Sequence, residues 1–302
     1  MKIAILGNTE ITKSIVSALT DAGVTPFAII SKPVDFRAVN SIDLKQDAEF
    51  LGCEYREFKT LESDEALSYL QFAAFDYIIS NWPDLLSYRV ISCANFFVIG
   101  SHPTDLPRNR GRHPLHWMIV LGINKSSVTL FQMNEKPDDG PILLRTPYTL
   151  PKGCNIRTAL KIVAECYYEA TKELFCKLKN KELKPNPQIG ECNTWRKRTR
   201  HDSIIDPRMA ADLIVKTVDS MSEPFPGAEI IIANKNYTAI IARELLDYEK
   251  KLDLEYGSVL RVAGKTIYFT TPTNPVAITV SRCIENPEVR YILPPTYFYT
   301  KN

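Results

Sequence analysis

The sequence predicts an α/β protein whose mostly parallel sheet is flanked by helices and followed by a smaller C-terminal β-rich domain. Three observations predict it. Apolar runs alternate with helical periodicity through the first third, an amphipathic segment closes that pattern near residue 178, and short strand-like runs broken by Gly and Pro follow residue 228. At 302 residues the chain suits two ordinary domains, drawn here as 1–185 and 186–302.

Lys2–Leu6 reads as the first strand. After it Ile11, Ile15, Ala18, Leu19 and Ala22 fall at helical spacing, with Gly23 as the stop. Phe27–Ile30 is a second strand and Tyr77–Ser80 a third, beyond a polar helix. Asn95–Ser101 and Val128–Met133 are further strands, separated by a loop rich in proline and arginine and a helix from His116 to Leu121. From Ile156 to Leu178 apolar residues recur every three or four positions, which predicts a long amphipathic helix. This order is Rossmann-like.

A polar stretch with two prolines and a basic run, KNKELKPNPQIGECNTWRKRTRHD, marks the boundary. Asp206 and Pro207 are expected to be the N-cap and first position of a helix that Pro224 stops after about Met221. Glu229–Ala233, Thr238–Ala242, Val259–Val262, Thr266–Thr270 and Ala277–Val280 then suggest a small barrel or an open β-domain.

A net charge of +2 excludes a global field that would draw the chain onto nucleic acid or an anionic membrane. No run approaches the ~18 apolar residues of a membrane span. The opening MKIAILGNTE meets polar residues too early for a signal sequence, so a cytoplasmic location is expected. Seven scattered cysteines without a CxxC pair read as buried reduced thiols, and no metal site is expected. GNTEIT after the first strand is not GxGxxG, and no Walker motif occurs.

Three of the four histidines, His102, His113 and His116, lie in SHPTDLPRNRGRHPLHW. His113 and His116 read as packing residues beside Trp117. His102 differs, because it stands where an apolar strand meets Pro103, and ligands of open α/β sheets bind at the carboxyl ends of strands. Histidine titrates near neutral pH and can move protons there. Arg108, Arg110 and Arg112 follow on a loop held by Pro107, Gly111 and Pro114, and arginine forks suit carboxylates or phosphates. Asp138 and Asp139, between Pro137 and Gly140, occupy a turn that alone is ordinary chemistry.

Taken in order, GSHPTDLP at 100–107, RGRHP at 110–114 and DDG at 138–140 resemble the folate-dependent formyltransferase superfamily. The resemblance covers the chain to about Leu178 and continues weakly through RKRTRHDSIID and PFPGA. It implies the formyltransferase fold, with His102 as the catalytic base and Asp138 as the aspartate that positions it. Thr104, Asp105, Leu106 and Pro107, with Asn134, Glu135, Lys136 and Pro137, would match cofactor-contacting segments. Arg108, Arg110 and Arg112 would belong to the substrate loop.

The family asparagine falls at Gly100. That side chain supplies a donor to the oxygen that becomes negative, and losing such a donor costs roughly 100–1000-fold. Its role would then pass to His102, a bound water or Asn81, or the activity would be lost.

The loop wording is closest to the sugar N-formyltransferases. The implied reaction carries a formyl group from 10-formyltetrahydrofolate to the amine of a nucleotide-linked amino sugar, in surface polysaccharide biosynthesis. The arginines would hold the diphosphate. Methionyl-tRNA formylation is the alternative; it needs a basic surface, which RKRTR at 196–200 could start. The acidic stretch Glu244, Asp247, Glu249, Asp253 and Glu255 and the balanced charge argue against nucleic acid. A homodimer through the β-rich domain is the expected assembly.

Overall fold

Apolar runs without polar alternation build strands buried on both faces. The first, β1 (Ile3–Leu6), is followed by α1 (Glu10–Asp21), β2 (Ala28–Ser31), α2 (Lys45–Leu51), β3 (Glu54–Glu57), α3 (Asp64–Ala73), β4 (Tyr77–Ser80), α4 (Tyr88–Ile91) and β5 (Phe97–His102). Next come β6 (Arg110–Gly111), α5 (Pro114–Leu121), β7 (Lys125–Gln132), β8 (Ile142–Thr149), α6 (Ile156–Lys179) and β9 (Thr194–Trp195). The chain continues with α7 (Ala211–Met221), β10 (Ala228–Ile232), β11 (Lys235–Glu244), β12 (Val259–Ala263), β13 (Thr266–Phe269) and β14 (Val276–Val280). This is a computed structural model describing residues 1–248 and 253–295, so Glu249 lies outside the described residues.

The α/β architecture with a C-terminal β-rich part is the one expected. Seven strands form one sheet in the order β3-β2-β1-β4-β5-β7-β8. β3 to β5 are parallel, and β7 and β8 run antiparallel on the far side. The connections reverse direction between β1 and β4. Two strands of this sheet were not anticipated, and both are edges. β3 reads EYRE, polar as sheet borders often are. β8 contains Pro147, which is tolerated because an outer strand leaves one row of N–H groups unpaired.

The described chain divides into two compact units. Met1–Pro114, Lys125–Leu150 and Ala159–Arg196 form the first; Leu115–Asn124, Pro151–Thr158 and the described residues from Lys197 onward form the second. In the first unit α6 buries Val163, Tyr167, Ala170 and Leu174, the three-to-four spacing read from the sequence.

In the second unit five antiparallel strands take the order β10-β11-β14-β13-β12 as an open sheet, over a core of Ile214, Val218, Ile230, Ile267, Phe269 and Ile278. Here one expectation fails. The helix starts at Ala211, not at Pro207, and Asp206 does not cap it. The Asp206 carboxylate accepts from Arg208 N at 2.9 Å and pairs with the Arg208 guanidinium, which closes a separate turn. The orphan N–H of Ala211 donates instead to Thr273 Oγ1 at 2.9 Å, a cap from 62 residues away.

All seven cysteines are free thiols. Among the described residues no helix is long and apolar enough to cross a membrane, and no group of three or more His, Cys, Asp or Glu side chains could hold a metal ion.

Candidate active site

β5 delivers His102 to the carboxyl edge of the sheet, where Pro103 breaks the strand, and the residue is only 5% exposed. Its Nε2 lies 2.9 Å from the Asn109 carbonyl. A carbonyl only accepts, so Nε2 carries the hydrogen and donates it. That leaves Nδ1 as the basic atom of the neutral ring, and Nδ1 faces Asp138 Oδ1 at 3.7 Å.

The Asp138 carboxylate is fixed from the other side, because Gly111 N donates to its Oδ2 at 2.9 Å. Asn109, His113 and Asp138 all take positive φ, of 62°, 54° and 54°, which is uncommon outside glycine. Gly111 itself stands at φ 103°, and a Cβ there would come within 2.2 Å of the Trp195 carbonyl oxygen. The glycine is therefore required by the close approach of β9 to β6, whose pairing sets Arg110 against Thr194 and Gly111 against Trp195.

The segment 186–195, which reads as a polar connector, buttresses this site. Gln188 Nε2 donates to the Asp138 and Gly140 carbonyls, both at 2.9 Å, and its Oε1 accepts from Arg110 at 2.7 Å. Asn193 Oδ1 accepts from Asn109 N at 2.9 Å. No local signal marks Gln188 or Asn193; only the pairing of β6 with β9 brings them here.

The three loop arginines separate. Arg110 is committed to Gln188 and to Asp139 Oδ1 at 2.7 Å. Arg108 is exposed, 3.9 Å from Glu191. Arg112 is exposed and makes no hydrogen bond or ion pair with its side chain among the described residues.

Residues 104–107 form the floor of the loop. Thr104 and Leu106 have no exposed surface, Thr104 Oγ1 donates to the Arg108 and Asn109 carbonyls at 3.0 Å, and Pro107 is buried behind a cis peptide bond. Asp105 alone is exposed and pairs with Arg145 at 3.0 Å. Asn134, Glu135 and Lys136 line a groove of about 630 Å³ with Tyr88, Phe96 and Met133, while the neighbouring Pro137 is exposed. Asn81 follows β4 directly, and its Oδ1 accepts from Thr9 Oγ1 at 2.8 Å.

The place of the family asparagine is filled. A Cβ on Gly100 would lie 2.6 Å from the Phe131 ring and 2.7 Å from Met133. Phe131 stands directly across from Gly100 in β7, so the glycine makes room for an aromatic neighbour.

His116 belongs to the second unit. It is buried, with Nδ1 2.6 Å from the Ser220 carbonyl and its ring edge-on to Phe225. It packs, as the sequence suggested. Two arginines of the RKRTR run serve internal partners. Arg198 is buried and donates to Ser220 Oγ and the Asp202 carbonyl, and Arg200 forms a two-pronged pair with Glu229.

The fold places a histidine and a carboxylate side by side at the carboxyl edge of a mostly parallel α/β sheet, where such sheets hold ligands. The particular family is settled by sequence: the chain belongs to the formyl transferase family, whose model matches residues 1–153, just over half of its length. It is 28% identical over 267 residues to the methionyl-tRNA formyltransferase of Ehrlichia canis, covering 86% of each chain. Among solved structures it resembles the N-formyltransferase of Helicobacter canadensis, in complex with folinic acid and dTDP-3-aminofucose, with a TM-score of 0.66 at 12% identity over 93% of this chain and 99% of that one. It also resembles HypX from Aquifex aeolicus, with a TM-score of 0.64 at 19% identity, where 92% of this chain covers 43% of that longer one.

Proposed function

We propose that the protein transfers a formyl group from 10-formyltetrahydrofolate to the amine of a nucleotide-linked amino sugar. The observation that carries this reading is the His102 geometry: Nε2 tied to the Asn109 carbonyl, Nδ1 turned toward the Asp138 carboxylate. Nδ1 takes the proton that the acceptor amine loses as it attacks. The Asn109 carbonyl holds the ring in the required tautomer, and Asp138 stabilises the imidazolium once the proton has moved.

The folate supplies the activated formyl carbon. Its flat ring system fits the groove formed by Tyr88, Phe96 and Met133, with the polar edges of Asn134, Glu135 and Lys136 at the rim. Thr104, Leu106 and Pro107 support this reading as the buried floor of the loop, with Asp105 at its surface. Arg112 offers the uncommitted guanidinium for an anionic acceptor, Arg108 a more peripheral one, while Arg110 positions Asp139 and Gln188.

An amino-sugar acceptor is favoured over tRNA by the state of RKRTR. Arg198 and Arg200 already serve internal partners, and a tRNA surface needs cations free to meet phosphates. A second reading has its own observation. Phe131 and Met133 fill the space of the asparagine that would donate to the developing oxyanion, which favours a homologue that binds folate without transferring formyl.

The test is to offer 10-formyltetrahydrofolate with a panel of amino-sugar nucleotides and with initiator methionyl-tRNA, detecting the formyl adduct by mass. A sugar adduct lost in His102→Ala supports the first reading. An adduct on tRNA alone overturns it, and folate binding with no adduct on any acceptor supports the second.

A further inference from the structure

β5 loses one of its neighbours just before His102. Its ladder with β4 ends at the Ser80–Gly100 pair, while β7 continues opposite Ser101 and His102. The strand also carries a glycine two residues before His102, and a glycine inside a strand gives up side-chain packing and backbone stiffness. A loosely held strand end would be costly here. His102 Nδ1 and Asp138 Oδ1 stand 3.7 Å apart, so a shift of about half an ångström decides whether they form a hydrogen bond.

Strand alternation turns Gly100 and His102 to one face of the sheet and Ser101 to the other, toward α6. Two buried phenols that the mechanism above leaves unused lie on that second face. Tyr167 of α6 has no exposed surface, and its hydroxyl hydrogen-bonds the Ser101 hydroxyl. Ser101 Oγ in turn donates to the Ser80 carbonyl at 3.3 Å, where the β4 ladder stops. A hydroxyl has one hydrogen, so Ser101 accepts from Tyr167 and gives its own to Ser80. This chain of side chains takes over where β4 no longer offers backbone pairing.

Tyr148 of β8 holds the other side of His102. It is 8% exposed, and its hydroxyl donates to the Pro103 carbonyl at 2.6 Å. Tyr148 stands opposite Ser126 of β7, whose Oγ accepts from Asp105 N at 3.2 Å and ties down the loop that follows. Burial pushes both phenols up, so each keeps the proton it donates. Phenylalanine would fill either position with the same apolar ring. What the hydroxyl adds is a directional bond, and both bonds end on the residues that flank His102.

We propose that Tyr148 and Tyr167 are positioning residues for the transfer, one clamping Pro103 and the other Ser101, so that His102 is held from both chain neighbours with Nδ1 toward Asp138. Both act from the face of the sheet opposite the base. The assignment rests on His102 being the base of the reaction proposed above.

The experiment compares Tyr148→Phe, Tyr167→Phe and Ser101→Ala with wild type in steady-state formyl transfer and in proton spectra of the histidine rings of the full chain. Tyr168→Phe is the control, because that neighbouring phenol bonds Asp21 at the surface. The chain has four histidines, and His102→Gln assigns the signal of the Nε2 hydrogen that bonds the Asn109 carbonyl. Each phenylalanine variant should lower kcat roughly 10-fold to 100-fold, with acceptor KM and folate affinity unchanged. Its His102 ring hydrogen should exchange with water faster than in wild type. Ser101→Ala should match Tyr167→Phe, and the two together should cost no more than either, because they break one chain. Tyr148→Phe with Tyr167→Phe should cost more than either alone. Tyr168→Phe should alter neither readout.

Unchanged kcat or an unchanged ring signal in either phenylalanine variant, even with a lowered melting temperature, marks a packing role and overturns the proposal. An equal loss in Tyr168→Phe overturns it too. If wild type formylates no acceptor, the reading of the reaction fails and the ring signal alone decides. Faster exchange in both variants then supports the clamp, and unchanged exchange overturns it.

Discussion

The carboxyl edge of the seven-stranded sheet and the antiparallel sheet of the second unit are built from similar apolar strands, but they differ in backbone conformation. At the edge, Asn109, His113 and Asp138 accept left-handed conformations within thirty residues, and Asn8 Nδ2, Ser41 Oγ and Arg110 Nε are buried without partners. In the second unit the non-glycine residues of positive φ among the described residues are Ala233 and Asn234, the two-residue turn between β10 and β11. There arginine and carboxylate meet each other, as in Arg200 with Glu229 and Arg208 with Asp206. Left-handed backbone gathers at the edge, whereas a buried polar atom without a partner occurs in the second unit too, at Ser258 Oγ.

The largest effect expected is on chemistry. His102→Ala should lower formyl transfer by about 100–10,000-fold, the usual worth of a positioned base, with the melting temperature near that of wild type. Retention of near-normal rates in both His102→Ala and Asp138→Asn would remove the edge from the comparison altogether.

Ile278→Ala tests the other side. Ile278 is fully buried in the second core, so the cavity should cost about 2–5 kcal/mol, read by denaturant titration. Folate affinity of the folded protein should stay as it was, and a parallel fall would mean that the second unit is more than packing.

Gln188→Ala sharpens the edge. It removes donors to the Asp138 and Gly140 carbonyls and the acceptor for Arg110, so transfer should fall about 10-fold through kcat, with folate affinity little changed. A loss confined to thermal stability would reduce Gln188 to a loop tie.

The smallest effect concerns Asp219 in α7, whose carboxyl is pushed up to about 6 by burial. The fold disfavours its charged form, so stability falls as pH rises from the unfolded value near 4 to about 6 and remains lower above that. Because the group is partly exposed, screening reduces the penalty to about 1 kcal/mol. Asp219→Asn should therefore raise the melting temperature at pH 7.5 and leave it unchanged at pH 4.

The order of strands and helices in the first unit was legible because both periodicities are local. β1, α1, β2, β4 and α6 follow from apolar spacing over four to twenty-four residues. The two edge strands were not, since EYRE and the Pro147-bearing strand lack that pattern. His102 and Asp138 were legible as a pair only through ordered motifs, because their 36-residue separation says nothing of a 3.7 Å approach.

What the sequence by itself determined about this protein is its α/β class and the place of His102 at the end of an apolar strand. Strand ends and motif order are properties of the chain read along its length. Tertiary structure alone decided that Thr273 caps α7, that Gln188 and Asn193 brace the loop, that Phe131 and Met133 stand where a side chain at Gly100 would reach, and that Asn81 accepts from Thr9 and Thr12. Each of these joins residues far apart in the chain, and such contacts depend on how strands pair and which backbone closes over which, leaving no periodic trace in the residues that make them.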